Sequence, residues 1–249
     1  DKGSYAWHDP AEASRAVERA QDVKVRTLRE DDTTQPNELH PLWHSLDTFT
    51  VTRDMPEEKV ISLAKNTNKL RVVLQNVMGE DMDVNNFSFR IVADNGYMDY
   101  DNSLLQDPTI HYLPYYTENV ELGADPTPGA TVGGQYVAVA EMNTMRLMAG
   151  RNYRLIIRHH GWEKDVLNVN LNDYLLLTKM EGHRISPQEY LDRQDEYSII
   201  FFLTPKVCPD CPDKPTPPDP PGPDNPDNPD NPDGPDPEDP TIVGYACFK

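Results

Sequence analysis

Oxygen donors crowd the stretch DNGYMDYDNSLL, Asp94 to Leu105, where Asp94, Asp99 and Asp101 stand among Asn95, Asn102 and Ser103. Calcium takes six to eight such ligands, and GEDMDVNN could bring Asp81 and Asp83 beside Asp99 and Asp101. The same side chains also suit a turn. Asn-Gly accepts positive φ at both central positions of a two-residue β turn, so IVADNGYM reads as a hairpin, with Asp94 bonding the turn amides. Asp99, Asp101, Asn102 and Ser103 would then satisfy backbone donors in the next loop while Tyr97, Tyr100, Leu104 and Leu105 pack. This turn reading leads over the calcium reading.

Four further groups invite a chemical reading. EYLDRQDEY offers Glu189, Asp192, Asp195 and Glu196 as a carboxylate pair for glycoside hydrolysis, against a solvated helix face bonded by Arg193. His40 and His44 have the spacing of two zinc ligands on a helix, but the Glu of the metalloprotease pattern is absent. Packing of Leu42, Trp43 and Leu46, with both imidazoles in solvent, is the expected arrangement. His159-His160 reads as a solvated strand end. Cys208 and Cys211 form a CPDC with redox spacing but lie in a proline-rich tract, not at a helix start that would lower a thiol pKa. In an exported protein they are a possible disulfide. With no G-x-S-x-G, P-loop or H-E-x-x-H pattern, neither enzyme activity, nor a cofactor, nor a metal is expected.

The formal charge of −19 and pI near 4.6 exclude a nucleic-acid partner, because phosphate binding needs a basic face. No apolar run approaches the roughly 20 residues that cross a bilayer, and the chain opens at Asp1 without a signal peptide, as expected of a processed or truncated N-terminus. Residues 205–240 carry 15 of the 24 prolines and ten acidic residues against two lysines, with no aromatic side chain. They cannot bury enough surface to offset ordering entropy. PDNPDNPDNPDG fits the three-residue period of polyproline II and reads as a stiff spacer, not a calcium loop.

The remaining chain must position these groups. HDPAE opens a short helix, with Asp9 as cap, Pro10 at the first position and Glu12 reaching back. DVKVRTL alternates like a strand with Val23, Val25 and Leu28 inward, and Phe49 and Val51 continue another. VISLAK, KLRVVLQNV, FSFRIVA, TIHYLPYY, QYVAVAEMNTMRLM, YRLIIRHH, VLNVNL and YSIIFFL add strands, with Phe87, Phe89 and Ile91 on one face. NDYLLLTKM and SPQEYLDRQ are short helical crossings, the second capped by Ser186 with Pro187 in its first turn. Many short strands at regular spacing predict a mainly β chain folded as a β-sandwich.

Several strings resemble, in order, the second domain of the anchor and minor-subunit proteins of type V pili: KNTNKLRVVLQ, FSFRI followed by DNGYMDYDNSLL, AVAEMNTMRLM, VNLNDYLLL and QEYLDRQDEYSIIFFL. The resemblance covers roughly Val60 to Leu203, and HPLWHSL is similar to the end of that family's first domain. It implies transthyretin-like sandwich domains of Greek-key type: the C-terminal part of a first domain in 1–56, a second domain in 57–204, the spacer or inserted loop in 205–240 and the start of a final strand in 241–249. It further implies a fimbrial outer-membrane lipoprotein at the cell surface that tethers or terminates a pilus. Its partners would be fimbrial shaft or accessory subunits, and the membrane through an N-terminal lipid absent from this chain. TIVGYACFK then either closes its own sandwich or is offered to another subunit by strand addition. A different reading makes the chain a surface adhesin binding a glycan or host protein through the tyrosine-rich DYDNSLLQDPTIHYLPYY face.

Overall fold

A computed structural model of the chain describes residues 3–7, 20–48, 50, 58–123, 134–177, 179, 184–205 and 240–246, with backbone alone at 20, 204, 205 and 240–246. The helix expected from Asp9, the strand through Phe49 and Val51, and the pair Cys208 and Cys211 lie outside the described residues. Strands are β1 (Tyr5–Trp7), β2 (Val25–Thr27), β3 (Thr34–Gln35), β4 (Trp43–His44), β5 (Ala64–Lys65), β6 (Thr67–Asn76), β7 (Phe87–Ala93), β8 (Tyr97–Met98), β9 (Ile110–Tyr112), β10 (Pro114–Leu122), β11 (Gln135–Met145), β12 (Arg154–His159), β13 (Lys164–Asn170), β14 (Glu196–Pro205) and β15 (Pro240–Ala246). The helices are α1 (Leu171–Leu176) and α2 (Pro187–Arg193).

Two five-stranded sheets, in the orders β10-β11-β6-β14-β15 and β13-β12-β7-β9-β3, face each other across one core. Period-two alternation builds it. Leu70, Val72 and Leu74 of β6 point inward with Tyr197, Ile199 and Phe201 of β14, and meet Phe87, Phe89 and Ile91 of β7 and Leu155 and Ile157 of β12. Apolar burial of this kind contributes roughly 1.5–3 kcal/mol per large side chain. TIHYLPYY forms two strands, since β9 pairs with β7 and β10 with β11: the chain changes sheets at Leu113-Pro114, where proline has no N–H to give the first ladder.

β6 and β14 run parallel at the centre of their sheet, and β15 pairs antiparallel along the outer side of β14, from Ile199↔Ala246 to Pro205↔Pro240. TIVGYA therefore joins its own sandwich in this structure, and residues 206–239 connect two neighbouring strands. The N-terminal residues are woven in as well. β1, β2 and β8 form a small sheet, and β3 pairs in parallel with β9.

Three sequence expectations need correction. Leu28 is exposed, and the inward residues of DVKVRTL are Val25 and Thr27. VISLAK is a strand only at Ala64–Lys65, with Val60, Ile61 and Leu63 exposed, because apolar content without a facing layer buries nothing. HPLWHSL is extended, so its histidines do not share a helical face. Leu39 takes the buried place, while Trp43 and Leu46 project.

Candidate functional site

Asn95-Gly96 is not a hairpin turn. Neither residue is among those with positive φ, and Asn95 is fully buried. Its amide donates to Thr144 Oγ1 at 3.2 Å and to the carbonyls of Met145 and Arg146 at 3.0 Å, while its oxygen accepts from the Tyr112 hydroxyl at 2.9 Å. Gly96 is needed for closeness: a Cβ there would collide with Arg29 Nη2 and lie 2.8 Å from Thr27 Oγ1. Its carbonyl accepts the Thr27 N–H at 2.9 Å. Arg29 is fixed in turn by Asp107, a side chain only 1% exposed that also binds Arg26 at 2.7 Å. A buried carboxylate is stabilised only by such pairing, so this trio clamps the N-terminal segment to the sandwich.

The acidic loop after it does the work of a turn. Asp99 accepts from the Tyr100 N–H at 2.8 Å, Asp101 from the Ser103 N–H at 3.0 Å, and Asn102 adopts φ 69°. The Ser103 contacts hold the Asp101 carboxyl below its usual range. Asn102 and Asn66 exchange amide hydrogen bonds in the interior. Asp94, expected on turn amides, instead pairs with Arg151 at 3.1 Å. Asp81 and Asp83 serve other donors: Asp81 accepts from the Tyr136 N–H and Asp83 from the Asn85 N–H. Tyr136 lies beside the Asn76 end of β6, whereas Asn66 immediately precedes Thr67. At about 3.3 Å per residue the two aspartate groups sit roughly 30 Å apart and share no ion.

His40 and His160 are exposed as expected, whereas His44 and His159 are half-buried. The Nε2 of His44 donates to the Tyr100 carbonyl at 2.7 Å. His159 stacks on Trp162 at 3.8 Å between centroids and meets Phe87 edge-on at 5.0 Å. Burial, then the neighbouring His160, lowers its pKa, and the Trp162 N–H donates to its Nδ1, which suits the neutral ring. The tyrosine-rich face is largely engaged. Tyr112 is in the core, Tyr100 is half-buried beside His44, and Tyr115 and Tyr116 donate to Glu141 and Glu118.

Three of the four carboxylates of EYLDRQDEY, Glu189, Asp192 and Asp195, come together at a cleft, each with a cation, whereas Glu196 borders a separate pocket with Lys69, Tyr115 and Glu141. Ser186 caps α2 through the Glu189 N–H, with Pro187 in the first turn, and this fixes the helix that carries them. Asp192 receives Arg146 through both oxygens at 2.7 Å, Asp195 receives Lys65 at 2.7 Å, and Glu189 receives Arg193 at 2.5 Å. The Arg146 Nη1 also donates to the Asn102 carbonyl at 2.7 Å, joining the cleft to the acidic loop. The cleft has a volume of about 560 Å³, within the usual range for a small-molecule site. One wall is Trp43, 53% exposed, with Lys65 Nζ 5.8 Å from its ring centroid. Trp43 also borders a smaller apolar groove of about 200 Å³ with Trp7 and Leu46. Sequence reasoning missed this cleft because it treated Trp43 as a packed residue.

Residues 2–216 match the family pattern of the fimbrillin-A associated anchor proteins Mfa1 and Mfa2. The chain belongs to that family. Among solved structures, the anchor-family chain is similar to a candidate adhesin from Bacteroides thetaiotaomicron, with TM-score 0.69 and 32% identity over 82% of this chain and 67% of that one. It is equally similar in sequence, at 32% identity with TM-score 0.66 and the same coverage, to a structure from the same organism described as a candidate polysaccharide-binding protein. The fimbrial anchor protein Mfa2 from Porphyromonas gingivalis shares the fold, with TM-score 0.56 and 16% identity over 84% of this chain and 67% of that one. Comparison with curated proteins finds no match. Among the described residues no helix is long and apolar enough to cross a membrane, and no three His, Cys, Asp or Glu residues gather as a metal site.

Proposed function

We propose that this anchor-family member is a noncatalytic structural protein of the cell surface that tethers or terminates a fimbrium. The observation that carries the reading is the family match over residues 2–216. The architecture supports it. The acidic loop holds backbone donors and Asp192 holds Arg146, contacts that rigidify the sandwich, and the N-terminal segment is clamped to that sandwich by Arg26, Arg29 and Asp107. In this reading residues up to about 56 close a transthyretin-like first domain against a second one, and 205–240 form an insertion. The protein is held at the outer membrane by a lipid on residues preceding Asp1, and it contacts shaft or accessory subunits.

Deleting the gene in its host and measuring fimbriae by electron microscopy tests this. Fimbriae that are shed, lengthened or lost support the proposal. Fimbriae of wild-type length that stay on the cell refute it.

A further inference from the structure

The cleft beside α2 has a chemistry that the anchor role does not use. Each carboxylate of the cleft already holds a cation: Asp195 meets Lys65 and Glu189 meets Arg193 within the lining, and Asp192 meets Arg146 from outside it. A phosphate, a polyanion or a divalent cation would have to break one of these pairs to bind there. The groups are nonetheless rich in hydrogen-bonding capacity: a lysine carries three donors, and a carboxylate about four acceptor sites, more than one ion-pair contact consumes. Gln188, whose Oε1 accepts the Ala149 N–H and whose Nε2 donates to the Leu147 carbonyl, is held rigidly at the wall. Trp43 supplies an exposed aromatic plane to the same space.

We propose that this cleft binds a neutral oligosaccharide, with one sugar ring against the Trp43 indole and its hydroxyls on Lys65, Asp195, Glu189 and Arg193. Hydroxyls both donate and accept, so they suit a lining of paired opposite charges, and the C–H face of a pyranose suits an aromatic plane. The volume of about 560 Å³ admits a short saccharide, not an extended protein surface. The tyrosines that the sequence pointed to are mostly engaged elsewhere, which moves any sugar contact to this side of the molecule. The inference stands independently of the anchor reading.

The test is calorimetric titration of the full chain with malto-, cello-, xylo-, manno- and galacto-oligosaccharides, and with sialyllactose and a heparin hexasaccharide as charged probes. At least one neutral probe is expected to saturate the protein. Trp43→Ala should weaken it at least about tenfold, Trp43→Phe should stay within about threefold, and Trp162→Ala should leave it unchanged. An unaltered thermal midpoint checks that Trp43→Ala is folded. No neutral binding up to about 10 mM, binding restricted to the charged probes, or binding indifferent to Trp43→Ala would each overturn the proposal. Shaft-subunit association of the Trp43→Ala protein, measured in parallel, reports on the anchor role alone.

Discussion

Replacing Asn95 by Asp separates the buried hub from the turn that the local sequence implies. In a two-residue β turn Asp-Gly serves almost as well as Asn-Gly, and the substitution would change stability by no more than about 0.5 kcal/mol, as at most surface sites. In the structure the Asn95 amide donates three hydrogen bonds. The Met145 carbonyl would keep Asn68 and Thr144 as donors, but the Arg146 carbonyl would lose its contact and face a carboxylate oxygen. One orphaned buried carbonyl costs about 1–3 kcal/mol. A carboxylate without a cation adds a penalty of similar size, since the Arg146 guanidinium is already committed to Asp192 and Asn102. The expected loss is about 3–5 kcal/mol of a total near 5–15 kcal/mol. Urea unfolding followed by tryptophan emission measures it. A cycle with Asn95→Ala and Tyr112→Phe should show a coupling above about 0.5 kcal/mol, because each single change orphans the other's partner. An Asn95→Asp protein as stable as the parent, or an additive cycle, would refute the buried-hub account.

Other expectations follow from the same contacts. Gly96→Ala forces Arg29 and Thr27 apart and should destabilise by about 1–3 kcal/mol, with faster proteolysis of the N-terminal segment. Arg146→Ala leaves Asp192 without a cation, with only the Gln188 amide donating to it, and orphans the Asn102 carbonyl; it should cost about 2–4 kcal/mol in denaturant titration, a loss that Arg146→Lys restores only in part. Since the folded pKa of His159 is lowered, the unfolded chain binds more protons. The His159-dependent part of stability should therefore be present above the ordinary value near 6.5 and fall with acidification toward the folded pKa, a slope that His159→Gln removes. Replacing residues 206–239, 34 in number, by a four-residue turn should keep the β14–β15 register and raise stability by about 2 kcal/mol from loop closure. Loss of folding would count against that register.

The strands were legible where alternation is local. FSFRIVA carries its inward residues in its own spelling, and Ser186-Pro187 announces α2 because a cap is a four-residue affair. Asn95 was misread because its partners stand 17 to 51 residues away, so only the local Asn-Gly pattern was visible. VISLAK failed for a related reason: apolar spelling marks a strand only where another layer covers it. The Trp43 cleft was illegible because its walls come from β4, β5 and α2, which no short window contains.

The Pro205↔Pro240 register has a mechanical consequence. Tension applied through the intervening excursion would tug on two chain ends that lie side by side, opening β14 from β15 one hydrogen bond at a time, like a zipper at low force. Tension drawn lengthwise between β6 and β14 would instead shear their whole ladder at once. A fibre pulling on this protein would be held far more strongly along the sheet's central axis than through its acidic loop.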